Sequence, residues 1–308
     1  MSAESLKIVL GTRGSELALT QARLVERAIQ AARPQLKIDL RIIATKGDEA
    51  KITDFRAGRK GLFTSEIERS LLCGDVDLAV HSAKDLPSET SPGAEIAAVL
   101  PRGATEDVLV SKQSSGLAGL RGGATVATGS VRRKHQLHWK RPDLAIVDLR
   151  GNVPTRLRNL AERDWDAIVL ARAGLERLGL SPARSEINFE SHPFFVEILS
   201  REIFLPAGGQ GIIAIQIRAD DKRVRTIGDL VNDHETLLCL RAEREFLRLL
   251  QVDCNAPVGV LAKIDNGVMK MRAQFFDDES KAPREGEVEG GSGQGEILAA
   301  QLLERLRA

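Results

Sequence analysis

Nine basic residues against two acidic ones lie between Arg121 and Leu160, a local charge of +7. Their placement matters more than their number. Arg132 and Arg133 fall in the first turn of a helix expected over residues 131–140, directly after Ser130, a capping residue type. Arg150 follows a strand expected over 144–149 and precedes Gly151-Asn152; Arg156 stands near the start of the next expected helix, 153–163. Helix N-termini favour anions through free N–H groups and the macrodipole. Guanidinium forks placed there match carboxylate or phosphate geometry. In open α/β sheets the carboxyl ends of the strands are where ligands bind. Any one of these arginines could belong to a solvated basic face, but several at strand-to-helix junctions point to a polyanionic ligand.

A second group, Ser82-Ala83-Lys84-Asp85, follows the strand expected over 77–81 and takes the same topological position. A carboxylate beside an ammonium there can act as a general acid/base or an electrostatic stabiliser; a surface aspartate before a turn has the same local sequence. Cys254, before Asn255-Ala256-Pro257, is the one cysteine outside an apolar helical pattern. Nucleophile, attachment point and inert thiol all remain open for it. None of the five histidines forms a metal pair: His135 and His138 share a helix but stand three apart among basic residues, and no metal is expected.

The composition limits the ligand. Lys and Arg total 44 against 43 Asp and Glu, so the 308-residue chain is nearly neutral, with 4% aromatics and no Tyr. That argues against a nucleic-acid coat and against base stacking. Three widely spaced cysteines, Cys73, Cys239 and Cys254, fit neither a disulfide framework nor a paired zinc site. The opening residues show no secretory pattern and no apolar run reaches membrane-spanning length, so a cytoplasmic protein without membrane or nucleic-acid partners is expected.

The elements that must position these residues alternate. Strands are expected over 6–12, 36–45, 77–81, 95–100, 107–111, 125–128, 144–149, 167–171 and 211–218. Helices are expected over 16–29 (after Ser15), 62–73, 131–140, 153–163 and 173–180. The alternation predicts an α/β protein with mixed, mainly parallel sheets. Residues 46–61 form a polar connector with five basic and three acidic residues, the profile of a mobile lid or binding loop. A long helix over 233–250, a hairpin around Asp265-Asn266-Gly267, an acidic loop over 277–296 and a last helix over 296–307 make a smaller α+β unit. Residues 181–202 have no clear pattern. These features alone fit an anion-binding receptor as well as an enzyme.

Nine motifs in order make the choice: GTRGSELALTQA, GRKGLFTSEIE, VHSAKDLP, TGSVRRKHQL, LRGNVPTRL, AIVLARAGLERLGL, LPAGGQG, DHETLLCLRAER and CNAPVGV. Over nearly the whole chain the sequence resembles the porphobilinogen deaminase (hydroxymethylbilane synthase) family of tetrapyrrole and heme biosynthesis. The resemblance implies two lobes like those of periplasmic binding proteins and a small C-terminal α+β domain: residues 1–103 with 206–229, 104–205, and 230–308. It implies a monomer that joins four porphobilinogen units, releasing ammonia each time, and passes the linear product to the next enzyme. It also implies a dipyrromethane cofactor joined through a thioether to Cys254, with Lys84, Ser130, Arg132, Arg133 and Arg156 around it. Arg13, Ser15, Gln21, Lys60, Arg150 and Arg177 would take substrate. Asp85 would hydrogen-bond pyrrole nitrogens and stabilise positive charge as ammonia leaves and the azafulvene forms. The loop 46–60 would be the family's active-site lid. A non-catalytic relative that only binds carboxylates is the alternative. The chain departs from the family at Glu16, where proline usually follows Ser15, at Gly129 in place of serine, and at Val252-Asp253 in place of two glycines.

Overall fold

A computed structural model describes residues 7–45, 64–113, 116–182, 185–251, 256–278 and 282–307. Three sheets organise them. The first has five strands: β1 (Lys7–Thr12), β2 (Lys37–Ile42), β3 (Leu78–Ser82), β4 (Ala94–Val99) and, from far along the chain, β11 (Ile213–Arg218), in the order β2-β1-β3-β11-β4. β1 runs parallel to β2 and β3, and β11 runs antiparallel to β3 and β4. Four strands therefore point one way and β11 alone points back.

The second sheet has six strands: β5 (Asp107–Ser111), β6 (Thr125–Ala127), β7 (Ala145–Val147), β8 (Ala167–Ala171), β9 (Glu186–Phe189) and β10 (His192–Ile198), in the order β7-β6-β8-β5-β10-β9. Here β5 and β9 oppose the other four. Both sheets are thus mixed and mainly parallel, as expected. Their central strands are mostly apolar because both faces are covered, with buried polar residues such as His81, Gln216 and Asp107 as exceptions. In β5, Val108 and Val110 pack with Leu157 and Leu160 of the Val153–Glu162 helix, while Leu109 packs on the other face with Leu137 of the Val131–Lys140 helix. On the first sheet the Glu16–Ala32 helix buries Gln21, Ala22, Val25 and Ile29, one stripe at helical spacing.

The third sheet is an antiparallel meander of β12 (Val258–Asp265), β13 (Val268–Phe275) and β14 (Arg284–Gly291), covered by the His234–Leu250 and Gly295–Arg307 helices. Asn266 (φ 51°) and Gly267 (φ 77°) make the expected tight turn. Two expectations are corrected. The acidic stretch 277–296 is not a loop throughout but contains β14. Its inward glycines let the last helix approach closely: a Cβ on Gly286 or Gly290 would stand 3.1 Å from Leu302 or Leu298, which would have to give way. The unplaced stretch 181–202 contains the β9–β10 hairpin. Its turn residues, Glu190 and Ser191, both adopt positive φ (48° and 68°) without glycine or asparagine, so it lacks the usual turn signature.

The chain passes between the first two sheets twice, through residues 100–106 and 199–212. The two crossings are tied to each other: Gly103 N donates to Gly211 O at 3.0 Å, and Leu100 N to Ile213 O at 3.2 Å.

Candidate active site

Where the two sheets face each other, two adjoining hollows share Leu17, Gln21 and Ser82 as a common wall. One is lined by Lys84, Arg133, Arg156 and Arg177, the other by Arg13, Ser15, His81 and Asp85. Local sequence explains how each is held. Ser15 caps the Glu16–Ala32 helix by accepting from Ala18 N at 3.3 Å, so Arg13 and Ser15 sit where β1 meets that helix. Gln21, buried on the helix, exchanges hydrogen bonds with Ser82 Oγ at 2.8 and 3.1 Å and pins it to the end of β3. Lys84 and Asp85 occupy a single 3-10 turn, Ala83–Asp85, directly after β3. Arg156 sits in the first turns of a helix capped by Asn152.

The electrostatics are one-sided. Among the described lining residues Asp85 is the one carboxylate; it is exposed, makes no hydrogen bond or close ion pair with a described residue, and acts on Lys84 and Arg156 through charge alone. Three of the cations, Lys84, Arg156 and Arg177, are desolvated. Burial pulls the Lys84 ammonium down to about 8, and the Arg133 guanidinium adds to the shift. Burial lowers Arg156 to about 10, with Arg133 again contributing, and burial lowers Arg177 to about 10. Arg156 Nε donates to Gly151 O at 2.7 Å, and Arg177 Nη2 to Gly211 O at 2.6 Å. Desolvated cations that meet only carbonyls favour an anion in the cleft.

Behind this wall stands Asp107, fully buried at the start of β5. Burial alone would raise its pKa; the Arg132 and Arg133 guanidiniums overturn that and hold it far below the usual carboxylate range. Arg132 Nη1 donates to Asp107 Oδ2 at 2.8 Å, and Arg133 Nη2 to Oδ1 at 2.7 Å. Gln210 Nε2 donates to Oδ1 at 2.9 Å, while Lys84 Nζ donates to Gln210 Oε1 at 3.4 Å. The crossing segment thus joins the Lys84 turn to the arginine pair.

Eight of the expected residues meet in the cleft: Arg13, Ser15, Gln21, Lys84, Asp85, Arg133, Arg156 and Arg177. Three do not line it. Arg132 turns inward, its Nη1 also donating to Gln136 Oε1 and Leu205 O. Ser130 Oγ caps the Val131–Lys140 helix by accepting from Arg133 N at 3.4 Å. Arg150 lies exposed, with Nε donating to Asp148 Oδ2 at 2.8 Å. Cys254 and Lys60 fall outside the described residues. Gly129 has a steric reason: a Cβ there would stand 2.4 Å from Leu149 O. Asp107, Gln210 and His81 were missed. An acidic residue opening an otherwise apolar strand was the available signal for Asp107.

The cleft suits a cofactor bearing several carboxylates. Besides the desolvated Lys84, Arg156 and Arg177, the buried Nε of Arg133, which lines the cleft, has no acceptor among the described residues.

Comparison with known proteins agrees. Residues 8–226 match the family model described as porphobilinogen deaminase, dipyromethane cofactor binding domain, and residues 237–308 the porphobilinogen deaminase C-terminal domain. The chain is 42% identical over 300 residues to the porphobilinogen deaminase of Syntrophomonas wolfei, covering 96% of this chain and 94% of that protein. It is 41% identical over 302 residues to that of Roseiflexus sp., covering 97% and 96%. Among solved structures, the methionine binding protein MetQ is similar with a TM-score of 0.45 and 15% identity, over 75% of this chain and 92% of MetQ.

Proposed function

The chain belongs to the porphobilinogen deaminase family, and we propose that Asp85 carries its chemistry in the arginine-lined cleft. The activity is that of a transferase, hydroxymethylbilane synthase: four porphobilinogen units are condensed stepwise, with release of ammonia, into a linear tetrapyrrole on a dipyrromethane cofactor. The observation behind the catalytic reading is Asp85, the one carboxylate among the described lining residues, facing the charges of Lys84 and Arg156.

Arg13, Ser15, Gln21 and Arg177 hold the carboxylates of incoming porphobilinogen; guanidiniums do so without themselves titrating. Lys84, Arg133 and Arg156 hold those of the cofactor, and Arg132 supports Arg133 through their shared Asp107. When bound, the dipyrromethane supplies the nucleophilic pyrrole carbon from which the product chain grows. Asp85 accepts the substrate's pyrrole N–H and stabilises the positive charge that develops as the C–N bond breaks and ammonia leaves with the bonding pair. It also serves the proton transfers at the pyrrole nitrogen. Lys60 and Cys254, both outside the described residues, take the family's roles of substrate contact and thioether attachment.

The domains follow the sheets: 1–103 with 206–229, 104–205, and 230–308. Support comes from strands 7–99 and 213–218 forming the first sheet, 107–198 the second and 258–291 the third. The enzyme works as a monomer in the cytoplasm, without membrane or nucleic-acid partners, and hands its product to the next enzyme. One chain supplies all the described walls of the cleft, and its three unpaired-pattern cysteines suit a reducing compartment. Intact mass under denaturing conditions tests the assignment of Cys254: a two-pyrrole adduct in the parent, absent from Cys254→Ser. The same adduct on both proteins, or on neither, after incubation with porphobilinogen would overturn it.

A further inference from the structure

One buried polar chain beside the cleft has no task in this reading. Glu68 is buried on the Ser65–Leu72 helix, Gln216 on β11 and His81 on β3. Ala214 pairs with His81 and Gln216 with Ala79, so the His81 and Gln216 side chains share one face of the sheet. Glu68 accepts at both oxygens: from Gln216 Nε2 at 2.6 Å and from Ser91 Oγ at 2.9 Å. With its NH2 turned to Glu68, Gln216 presents Oε1 to His81 Nε2, 3.1 Å away. A carbonyl oxygen only accepts, so His81 Nε2 must carry a proton.

The other ring nitrogen is then decided by charge. Burial lowers His81 to about 4; Glu68 and the Gln216 hydrogen bond oppose that shift, and Arg13 adds to it. At neutral pH the ring is therefore neutral and Nδ1 holds a lone pair. Nδ1 has no partner among the described residues, and it is not among the atoms sealed in the interior. His81 lines the cleft with Arg13, Gln21 and Asp85.

We propose that the Glu68–Gln216 chain fixes His81 as the Nε2-protonated neutral imidazole, which presents Nδ1 to an N–H group of the substrate as a hydrogen-bond acceptor. This rests on the cleft being the porphobilinogen site. A substrate that bears both N–H donors and carboxylates is served by an uncharged acceptor, because a second anion beside Asp85 would repel the carboxylates. His81 thus makes a contact with substrate distinct from that of Asp85, and Glu68 and Gln216 are positioning residues behind it.

Two substitutions separate this role from packing. In His81→Asn the amide oxygen can stand where Nδ1 does, and in His81→Gln the amide reaches the place of Nε2. If Nδ1 meets substrate, cofactor-loaded His81→Gln loses about tenfold in kcat/KM, one neutral hydrogen bond's worth, while His81→Asn stays within about threefold. The reverse order would show that the ring matters only through Gln216. The tautomer itself is read by nitrogen NMR of histidine-labelled holoenzyme, with only five histidines to assign. The expected spectrum at pH 7 has Nε2 protonated and Nδ1 bare, with the Nδ1 resonance moving when porphobilinogen is added to Asp85→Asn holoenzyme. A proton on Nδ1, or an Nδ1 resonance that does not move, overturns the proposal. The tautomer is measured without turnover, so this failure is distinct from misassignment of Asp85, which normal turnover of Asp85→Asn would reveal.

Discussion

A Cβ added to Gly209 would stand 2.9 Å from the backbone nitrogen of Lys84. The crossing segment therefore lies directly against the turn that presents Lys84 and Asp85, and Gly209 adopts φ +75° to do so. Gly209→Ala should combine backbone strain with displacement of that turn, costing about 1–3 kcal/mol. Turnover should fall more than about tenfold, since a displacement near 1 Å at a reacting group is costly. Gly74→Ala is the control: φ is +81° but nothing lies within 4 Å, so a melt should show a loss near 1 kcal/mol with kcat intact. Equal turnover in the two variants would contradict the contact's importance.

Asp85→Asn should leave the melting temperature and cofactor loading close to those of the parent, because Asp85 is exposed and makes no hydrogen bond or ion pair among the described residues. Single-turnover ammonia release should nearly vanish. Undiminished release would remove Asp85 from the chemistry.

Asp107→Asn should destabilise the protein by about 3–5 kcal/mol, because two buried guanidiniums lose their shared countercharge. Since the folded-state pKa of Asp107 is depressed, its contribution is present above the unfolded value, about 3.9, and is lost as pH falls toward the lower folded value. Denaturation midpoints measured from pH 7 down to pH 3 should fall in the parent, and this component should be missing in the variant. Parallel curves would exclude Asp107 as its source.

Lys84, at about 8 in the ligand-free cleft, should lose its charge as pH rises above that value. Loading of the apoprotein by porphobilinogen, followed by intact mass, should slow above pH 8. In Lys84→Arg that break should disappear, because a guanidinium does not titrate in this range. The same break in both proteins would place its origin elsewhere.

Arg133→Leu and Arg132→Leu should fail in different ways. Arg133 reaches the cleft, so its loss should reduce cofactor loading as well as stability; Arg132 does not, so stability alone should fall in proportion. Loading of folded protein, normalised by circular dichroism, distinguishes them, and identical loading would contradict the division.

Apart from the β9–β10 hairpin, the strands and main helices of the first two sheets were legible because apolar runs and caps such as Ser15 and Ser130 obey local rules. The β9–β10 turn was hidden because Glu190 and Ser191 take left-handed conformations that tertiary packing imposes rather than their residue types favour. β14 was hidden because glycine and glutamate are poor strand formers, accepted here for the close approach of a helix. In the site, residue types indicated anion binding, but not which of two adjacent arginines faces the ligand. That depends on Asp107, twenty-five residues from Arg132 and brought near only by the fold.

The position of β11 also sets an order for biosynthesis. β11 fills the place between β3 and β4, yet it follows the whole second sheet in the chain. A nascent chain that has emerged only through β4 has a vacant slot in the middle of its first sheet, where Ile213, Ile215 and Ile217 will later form part of the core. The N-terminal lobe therefore cannot complete itself as it leaves the ribosome. It must wait while more than a hundred further residues are translated, so the second lobe can close first and the segment that returns from it finishes the sheet begun earlier.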